Sequence, residues 1–134
     1  MFFSARDGVH GAELWTSDGT EAGTVLVDDI RPGVGASRPR YLTAVGATVF
    51  FLADDGAATA LWSSDGSEAG TVNVKEVSPA SYYEDDVSMT AVGDTLFFAT
   101  DDPDHGRELW SSDGTEAGTV LVKDVRPGAY SSDP

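Results

Sequence analysis

The 134-residue chain contains no cysteine, so disulfides and thiolate metal sites are both excluded. Secretion needs neither. Lysine is almost as scarce, present only as Lys75 and Lys123 beside six arginines. Against these 8 basic residues stand 23 acidic ones, a formal charge of −15 at pH 7. A field of that sign repels phosphate backbones and anionic membrane surfaces, which argues against nucleic acid as a partner. Cations, neutral sugars and basic proteins are the partners it tolerates. The same acid keeps a repetitive β-protein soluble, and the shortage of lysine fits a salt-adapted source.

Other absences narrow the reading further. No apolar run approaches the roughly 20 residues of a membrane-spanning helix, so membrane insertion is not expected. No signal peptide is visible. No segment keeps an apolar period of 3.6 residues, which predicts helix content near nil. There is no Gly-x-Ser-x-Gly, no glycine-rich phosphate loop and no histidine pair at metalloprotease spacing. Carboxylate pairs are common, but in so acidic a chain chance supplies them. The chain is read as not an enzyme.

What the chain has in abundance is repetition. Glu13-Leu14-Trp15-Thr16-Ser17-Asp18-Gly19-Thr20-Glu21-Ala22-Gly23-Thr24 returns as Ala60 to Thr71 and again as Glu108 to Thr119. The tryptophans are 47 and 48 residues apart, and the pairs Phe2-Phe3, Phe50-Phe51 and Phe97-Phe98 recur at 48 and 47. Such a period matches one supersecondary unit that buries its apolar faces by stacking on its own copies. A hydrophobic content of 40%, with 6 Phe, 3 Trp and 4 Tyr, is enough for a packed core and too much for a disordered tail.

Each unit reads as four short strands. The first, Leu42 to Gly46 or Met89 to Gly93, turns tightly through its glycine into the second. The second, Thr48 to Ala53 or Thr95 to Thr100, is apolar on both faces and so covered from both sides. The third carries Leu-Trp and stops at Asp-Gly. The fourth alternates: Val120 and Val122 share one face with Lys123 on the other, as do Val72, Val74 and Lys75, which marks a half-exposed outer strand. Proline closes each unit at Pro32, Pro79 and Pro127. The expected fold is all-β, with about three four-stranded antiparallel blades of the β-propeller type. The repeats run 1–39, which lacks its first strand, 40–86 and 87–134, within one repeat domain. A β-trefoil, which also uses three four-stranded units, is the alternative.

The repeated Ser-Asp-Gly-Thr/Ser-Glu-Ala-Gly-Thr loop reads as a structural turn, with Asp18, Asp65 and Asp113 capping and the next glycine at positive φ. Calcium loops place oxygen ligands at alternate positions, which this one does not, yet calcium stays open as a cofactor. The loop between the second and third strands differs among copies. Copies one and three carry Asp7, His10 and Glu13, or Asp102, His105 and Glu108, while copy two is one residue shorter and loses the histidine, the glycine after it and the glutamate together. Joint loss predicts that histidine and glutamate interact. Asp7, Glu13, Asp102 and Glu108 are the candidate metal ligands. His10 and His105, with Tyr82, Tyr83, Asp85 and Tyr130 in the divergent links after the fourth strand, are the candidate ligand-binding residues. Trp15, Trp62 and Trp110, fixed beside leucine in every copy, are assigned to packing between blades.

Glu-Leu-Trp-Thr-Ser-Asp-Gly-Thr and Glu-Leu-Trp-Ser-Ser-Asp-Gly-Thr, each followed by Glu-Ala-Gly-Thr, resemble the ELWxxDGT repeat of large bacterial proteins. Asp29-Ile30-Arg31-Pro32-Gly33, the Leu-Thr-Ala-Val-Gly turn and the Phe-Phe strand fit it too, and the likeness spans essentially the whole chain. The chain is also similar to kelch-type blades in having a hairpin before the Leu-Trp strand. The resemblance implies a secreted or cell-surface repeat protein with a propeller-like fold and no established catalytic residues. Copy two departs from it at Ala60. The first functional expectation is a non-enzymatic binding or adhesion scaffold, with a glycan or protein held by loops of the propeller. The alternatives are a structural subunit of a surface assembly or fibre, and a propeller-based hydrolase with a carboxylate cluster at its channel.

The phase of the repeat carries one more expectation. Met1 stands in the slot of Val49 and Leu96, and Pro32 to Pro39 aligns with Pro127 to Pro134 at a constant offset of 95. Three full units would need nine more residues, those of one inner strand, which suggests a piece of a longer array. Eleven strands would leave an open arc, and open apolar faces seek partners. Self-association through the terminal blades is expected, with two copies making a six-bladed ring the simplest solution, or else the chain is a piece of a longer array.

Overall fold

The structure, a computed structural model, describes residues 1–77 and 87–134. Among these residues there is no helix, and none, therefore, that is long and apolar enough to cross a membrane. Eleven strands form three separate antiparallel sheets. The first contains β1 (Phe2–Ala5), β2 (Glu13–Thr16) and β3 (Val25–Asp28), in that order. The second contains β4 (Arg40–Val45), β5 (Thr48–Asp54), β6 (Thr59–Ser64) and β7 (Val72–Glu76), again in chain order. The third contains β8 (Met89–Val92), β9 (Thr95–Asp102), β10 (Gly106–Ser112) and β11 (Val120–Lys123). Each sheet takes its strands from one copy of the repeat. A trefoil would close six strands into a barrel; here the three sheets share no strand.

Local chemistry explains the hairpins. β4 and β5 pair from Val45 against Thr48, so only two residues make the turn, and the same holds for Val92 and Thr95. Gly46 and Gly93 take the first turn position with φ of +59° and +60°, the arrangement of a type II′ hairpin. Strands β5 and β9 are apolar on both faces for a tertiary reason. Val49, Phe50, Phe51, Leu52 and Ala53 are all buried because β5 lies in the middle sheet, with a neighbour on each side.

The core sits between consecutive sheets. Leu14, Val27 and Ile30 of the first repeat cluster with Val49, Phe51 and Ala53 of the second, joined by half-buried Phe2, Leu42 and Trp62. One repeat later the pattern recurs. Phe50, Leu61, Val74 and Val77 cluster with Leu96, Phe98 and Trp110. Each sheet thus has a forward face, toward the next repeat, and a backward face, toward the previous one. The sheets also approach along their first strands, β1 to β4 and β4 to β8.

The outer strands correct the sequence reading. Strict alternation would put Val72 and Val74 on one face and Lys75 on the other. The ladder instead shifts by one residue in every sheet. Leu61 faces Lys75 while the next residue, Trp62, faces Asn73, leaving Val74 as an extra residue. Val27 and Val122 are the extra residues in the other sheets. A β-bulge of this kind turns the strand locally. Here it sends Val74 into the core beside Trp110 and swings the Lys75 ammonium over the same indole, 5.1 Å from its centroid. Val72, on the near side of the bulge, is exposed.

Trp62 and Trp110 pack between consecutive sheets as expected, while Trp15 joins neither inter-sheet cluster. Trp110 is buried, Trp15 and Trp62 are half-buried, and none is exposed. Their three indole Nε1 atoms are buried without a hydrogen-bond partner, so the rings act as apolar bodies.

Candidate functional site

In an antiparallel meander the second strand ends, and the third begins, at the end of the sheet where the fourth strand also finishes. The loop after the second strand and the link after the fourth are therefore neighbours. In the first sheet these are residues 6–12 and 29–39; in the third they are 103–105 and 124–134. Backbone bonds tie them together: Gly11 N–H donates to Gly33 O at 3.3 Å and Arg38 N–H to Ala12 O at 2.9 Å. In the third sheet Ser132 N–H donates to Arg107 O at 3.0 Å. His10, His105 and Tyr130 all lie in this loop-and-link end of their sheets.

The acidic residue of the loop organises it. Asp7 Oδ1 accepts the N–H groups of Val9 and His10 at 2.8 and 2.7 Å, and Oδ2 meets His10 Nδ1 at 2.6 Å. These bonds, the His10 backbone N–H first, lower the Asp7 pKa to about 2. In return the carboxylate bond raises the His10 pKa, with the charges of Asp7, Asp29 and Glu13 adding to it and partial burial opposing. Asp102 does the same for Asp104 and His105, with His105 Nδ1 at 2.7 Å. Burial pushes the Asp102 pKa up, but the bonds from Asp104 and His105 outweigh it and the net shift is downward. Copy two keeps the turn without the imidazole: Asp55 Oδ1 accepts Ala57 N–H at 2.8 Å and Ala58 N–H at 3.1 Å.

The glutamates have other partners, which corrects the expected histidine–glutamate contact. Glu13 is fully buried and accepts the backbone N–H of Ser37 at 2.8 Å and the Ser37 hydroxyl. Glu108, also fully buried, accepts the Ser132 hydroxyl at 2.5 Å and, more weakly, the N–H groups of Val125 and Arg126. The Ser132 hydroxyl is the main cause holding the Glu108 pKa low. Gly11 and Gly106 let the link come this close. A Cβ at Gly11 would overlap the Gly35 backbone, and one at Gly106 would lie 2.6 Å from the Tyr130 carbonyl carbon. In copies one and three the glycine and the glutamate serve one purpose, to hold the link against the loop.

Of the candidate metal ligands, then, Asp7 joins His10 and Asp102 joins His105, while Glu13 and Glu108 turn inward to serines. Among the described residues no three His, Cys, Asp or Glu side chains are grouped to hold a metal ion. Tyr130 is exposed, and the Arg126 guanidinium lies 4.9 Å from its ring centroid. Tyr82, Tyr83 and Asp85 lie outside the described residues. Neither imidazole is hydrogen-bonded to a hydroxyl among the described residues, and the dyads leave Nε2 as the nitrogen available to a further partner.

The opposite end is uniform. Asp18 Oδ1 accepts Thr20 N–H and the Thr20 hydroxyl at 2.9 and 2.7 Å, and Thr20 Oγ1 in turn accepts Gly23 N–H at 2.9 Å. Asp65 and Asp113 repeat this with Ser67 and Thr115. The hydroxyl bonds lower all three aspartate pKa values.

Sequence reasoning missed Ser37, Ser132 and the ion pair of Arg31 with Asp54 at 3.6 Å. A signal for the serines was present: Ser37 and Ser132 share the offset of 95 that relates Glu13 to Glu108. Comparison of the chain with protein-family models, with curated proteins and with solved structures gives no match.

Proposed function

We propose that this chain is a non-enzymatic binding or adhesion scaffold of β-propeller-type blades, of the ELWxxDGT kind, carried at the cell surface or secreted. Its ligand, a glycan or a protein, is bound by the loop-and-link end that holds His10, His105 and Tyr130. The observation that supports this is the contrast between the two ends of the sheets. At one end all three copies build the same saturated aspartate–glycine turn. At the other the copies differ in length and side chains, and an exposed tyrosine stands beside an arginine, its backbone packed on the glycine that follows an aspartate-held histidine. Variable loops held by a rigid scaffold are where binding residues concentrate, and tyrosine offers a broad rigid contact at small entropic cost.

A glycan array, followed by calorimetry with and without calcium, tests the reading. Saturable binding is expected, weakened at least tenfold by Tyr130→Ala with an unchanged melting temperature. Glycosidase, esterase and phosphatase screens are expected to be blank. Hydrolytic turnover that disappears in His105→Ala would overturn the scaffold reading.

A further inference from the structure

Three of the six arginines fall in one short stretch, the link between the first and second sheets. Residues 31–40 carry Arg31, Arg38 and Arg40 and no acid, in a chain with a formal charge of −15. The corresponding stretch after the second sheet, residues 78–87, carries Glu84, Asp85 and Asp86 and no base. One place in the repeat thus accepts opposite charges, so the scaffold does not require arginine there. Backbone geometry agrees. Arg38 and its counterpart Asp133 both have φ of +51°. That left-handed region suits aspartate better than arginine. Arginine stands where the fold gains nothing from it, and an outlier of this kind points to function.

The three arginines are gathered around the end of β5. Arg40 pairs with Leu52, and Arg38 follows Ser37, whose carbonyl accepts the Asp54 N–H at 2.8 Å. The Arg31 guanidinium reaches the same residue, 3.6 Å from Asp54 Oδ1. Two glycines make room for it. A Cβ on Gly35 would lie 2.9 Å from Arg31 Nε, and one on Gly56 would lie 3.5 Å from it. The nearby carboxylates are engaged by backbone amides. Asp54 Oδ1 accepts Gly56 N–H at 2.7 Å, Asp55 Oδ1 accepts those of Ala57 and Ala58, and Asp29 Oδ2 accepts Gly33 N–H. The Arg31–Asp54 contact is too long for a hydrogen bond and half-exposed, a pair of small worth. Among the described residues no carboxylate pairs with Arg38 or Arg40. Both sheets that flank this link are present, so its exposure does not depend on where the chain begins or ends.

We propose that Arg31, Arg38 and Arg40 form a site for the carboxylate of an acidic sugar, a uronate or sialate within a glycan, at the junction of the first and second sheets. The inference rests on the reading of this end as a binding surface and adds the class of glycan. Guanidinium forks match a carboxylate with two parallel hydrogen bonds. The negative field of the whole chain opposes densely charged polymers, which leaves ligands with isolated carboxylates. Peptides are held mainly by strand addition or by side-chain pockets. Here β5 is already paired on both sides, and the exposed residues of the link include Pro32, Gly33, Val34 and Arg38.

Calorimetry on the full chain tests the proposal with two trisaccharides, one ending in glucuronate and one in sialate, each beside its methyl ester. At least one acid form is expected to bind, and the arm that binds names the sugar. Its ester should bind roughly tenfold more weakly or worse, the worth of a hydrogen bond to a charged group. Arg38→Gln, at an exposed side chain, should weaken the acid form by a similar factor with an unchanged melting temperature, and Arg31→Gln should do the same. Equal affinity for acid and ester, no binding of either acid, tighter binding of a heparin hexasaccharide, or arginine variants that bind like the parent would each overturn the site. Neutral glycans bound through Tyr130 alone would also overturn it and leave the scaffold reading standing. An array blank for neutral and acidic glycans alike would overturn the glycan reading itself.

Discussion

Ser37 donates both its backbone N–H and its hydroxyl to the Glu13 carboxylate, across 24 residues of chain and inside the protein. A buried carboxylate with two donors holds the link between the first and second sheets in place. Its loss would leave the Ser37 N–H without an acceptor, while the hydroxyl keeps only the longer bond to Ala12 O at 3.3 Å.

Glu13→Ala is accordingly expected to destabilise the protein by about 1–3 kcal/mol, the usual penalty for orphaning buried polar groups. Urea denaturation measures this, and hydrogen exchange should show faster exchange at the Ser37 and Arg38 amides. Glu13→Gln, which keeps one acceptor, should lose less. Stability unchanged in both variants would show that the link is held by something else.

The Asp7–His10 dyad gives a pH dependence with a definite sign. The Asp7 pKa is lowered, so its contribution is present above 3.8 and is lost as pH falls through about 2. The His10 pKa is raised, so its contribution is present below 6.5 and is lost as pH rises through the folded value. Both contributions are full only between 3.8 and 6.5. The groups are exposed and the effect on global stability is small, so proton NMR is the better probe. His10 should titrate with a midpoint above 6.5, and Asp7→Asn should bring it down. A midpoint at or below 6.5 in the parent protein would contradict the dyad.

Asp28 occupies the position that Lys75 and Lys123 fill in the later repeats. Burial raises its pKa, and the charges of Glu68, Glu13 and Asp29 add to the shift. A raised acid is disfavoured in its ionised form by the fold, so it detracts from stability above the ordinary value of 3.8. Asp28→Lys should relieve this and place an ammonium toward Trp62 as Lys75 is placed over Trp110. A gain of about 0.5–1 kcal/mol is expected from the cation–π contact. A fall in melting temperature would show that the Lys75 geometry does not carry over to the first sheet.

The aspartate–glycine turns should matter for folding. Gly66 has φ of +97°, and a Cβ there would come 3.3 Å from the Phe2 ring. Gly66→Val is expected to cost about 1–3 kcal/mol, since a β-branched residue resists that backbone region. Gly70→Ala should also destabilise, because its Cβ would overlap the Asp65 carboxylate. Chemical denaturation of both variants decides the point; two parent-like midpoints would remove the structural role of the loop.

Interactions that span only a few residues were legible from the chain alone. The hairpin at Gly46, the aspartate–threonine turn from Asp18 to Thr20 and the doubly apolar strand around Phe50-Phe51 are written in neighbouring positions. Repetition three times over makes each of them stand out from chance. The three-sheet architecture follows, because a unit of this length with two apolar faces has to stack. The His10 partner was equally local, at Asp7, but the joint loss in copy two drew the reading to Glu13. Glu13 and Gly11 instead hold the link, a contact that no short window of sequence contains.

What only the tertiary structure decided depends on which atoms lie across a gap. A one-residue bulge at Val27, Val74 and Val122 leaves the alternating pattern intact in the sequence yet changes the face that Lys75 presents. Ser37 meets Glu13 because the link folds back over the loop, a matter of backbone approach and not of composition. Val122 and Val74 are the same residue in the same repeat position; one is exposed and the other buried because burial belongs to the neighbouring sheet, and the side chain alone does not encode whether that neighbour is there.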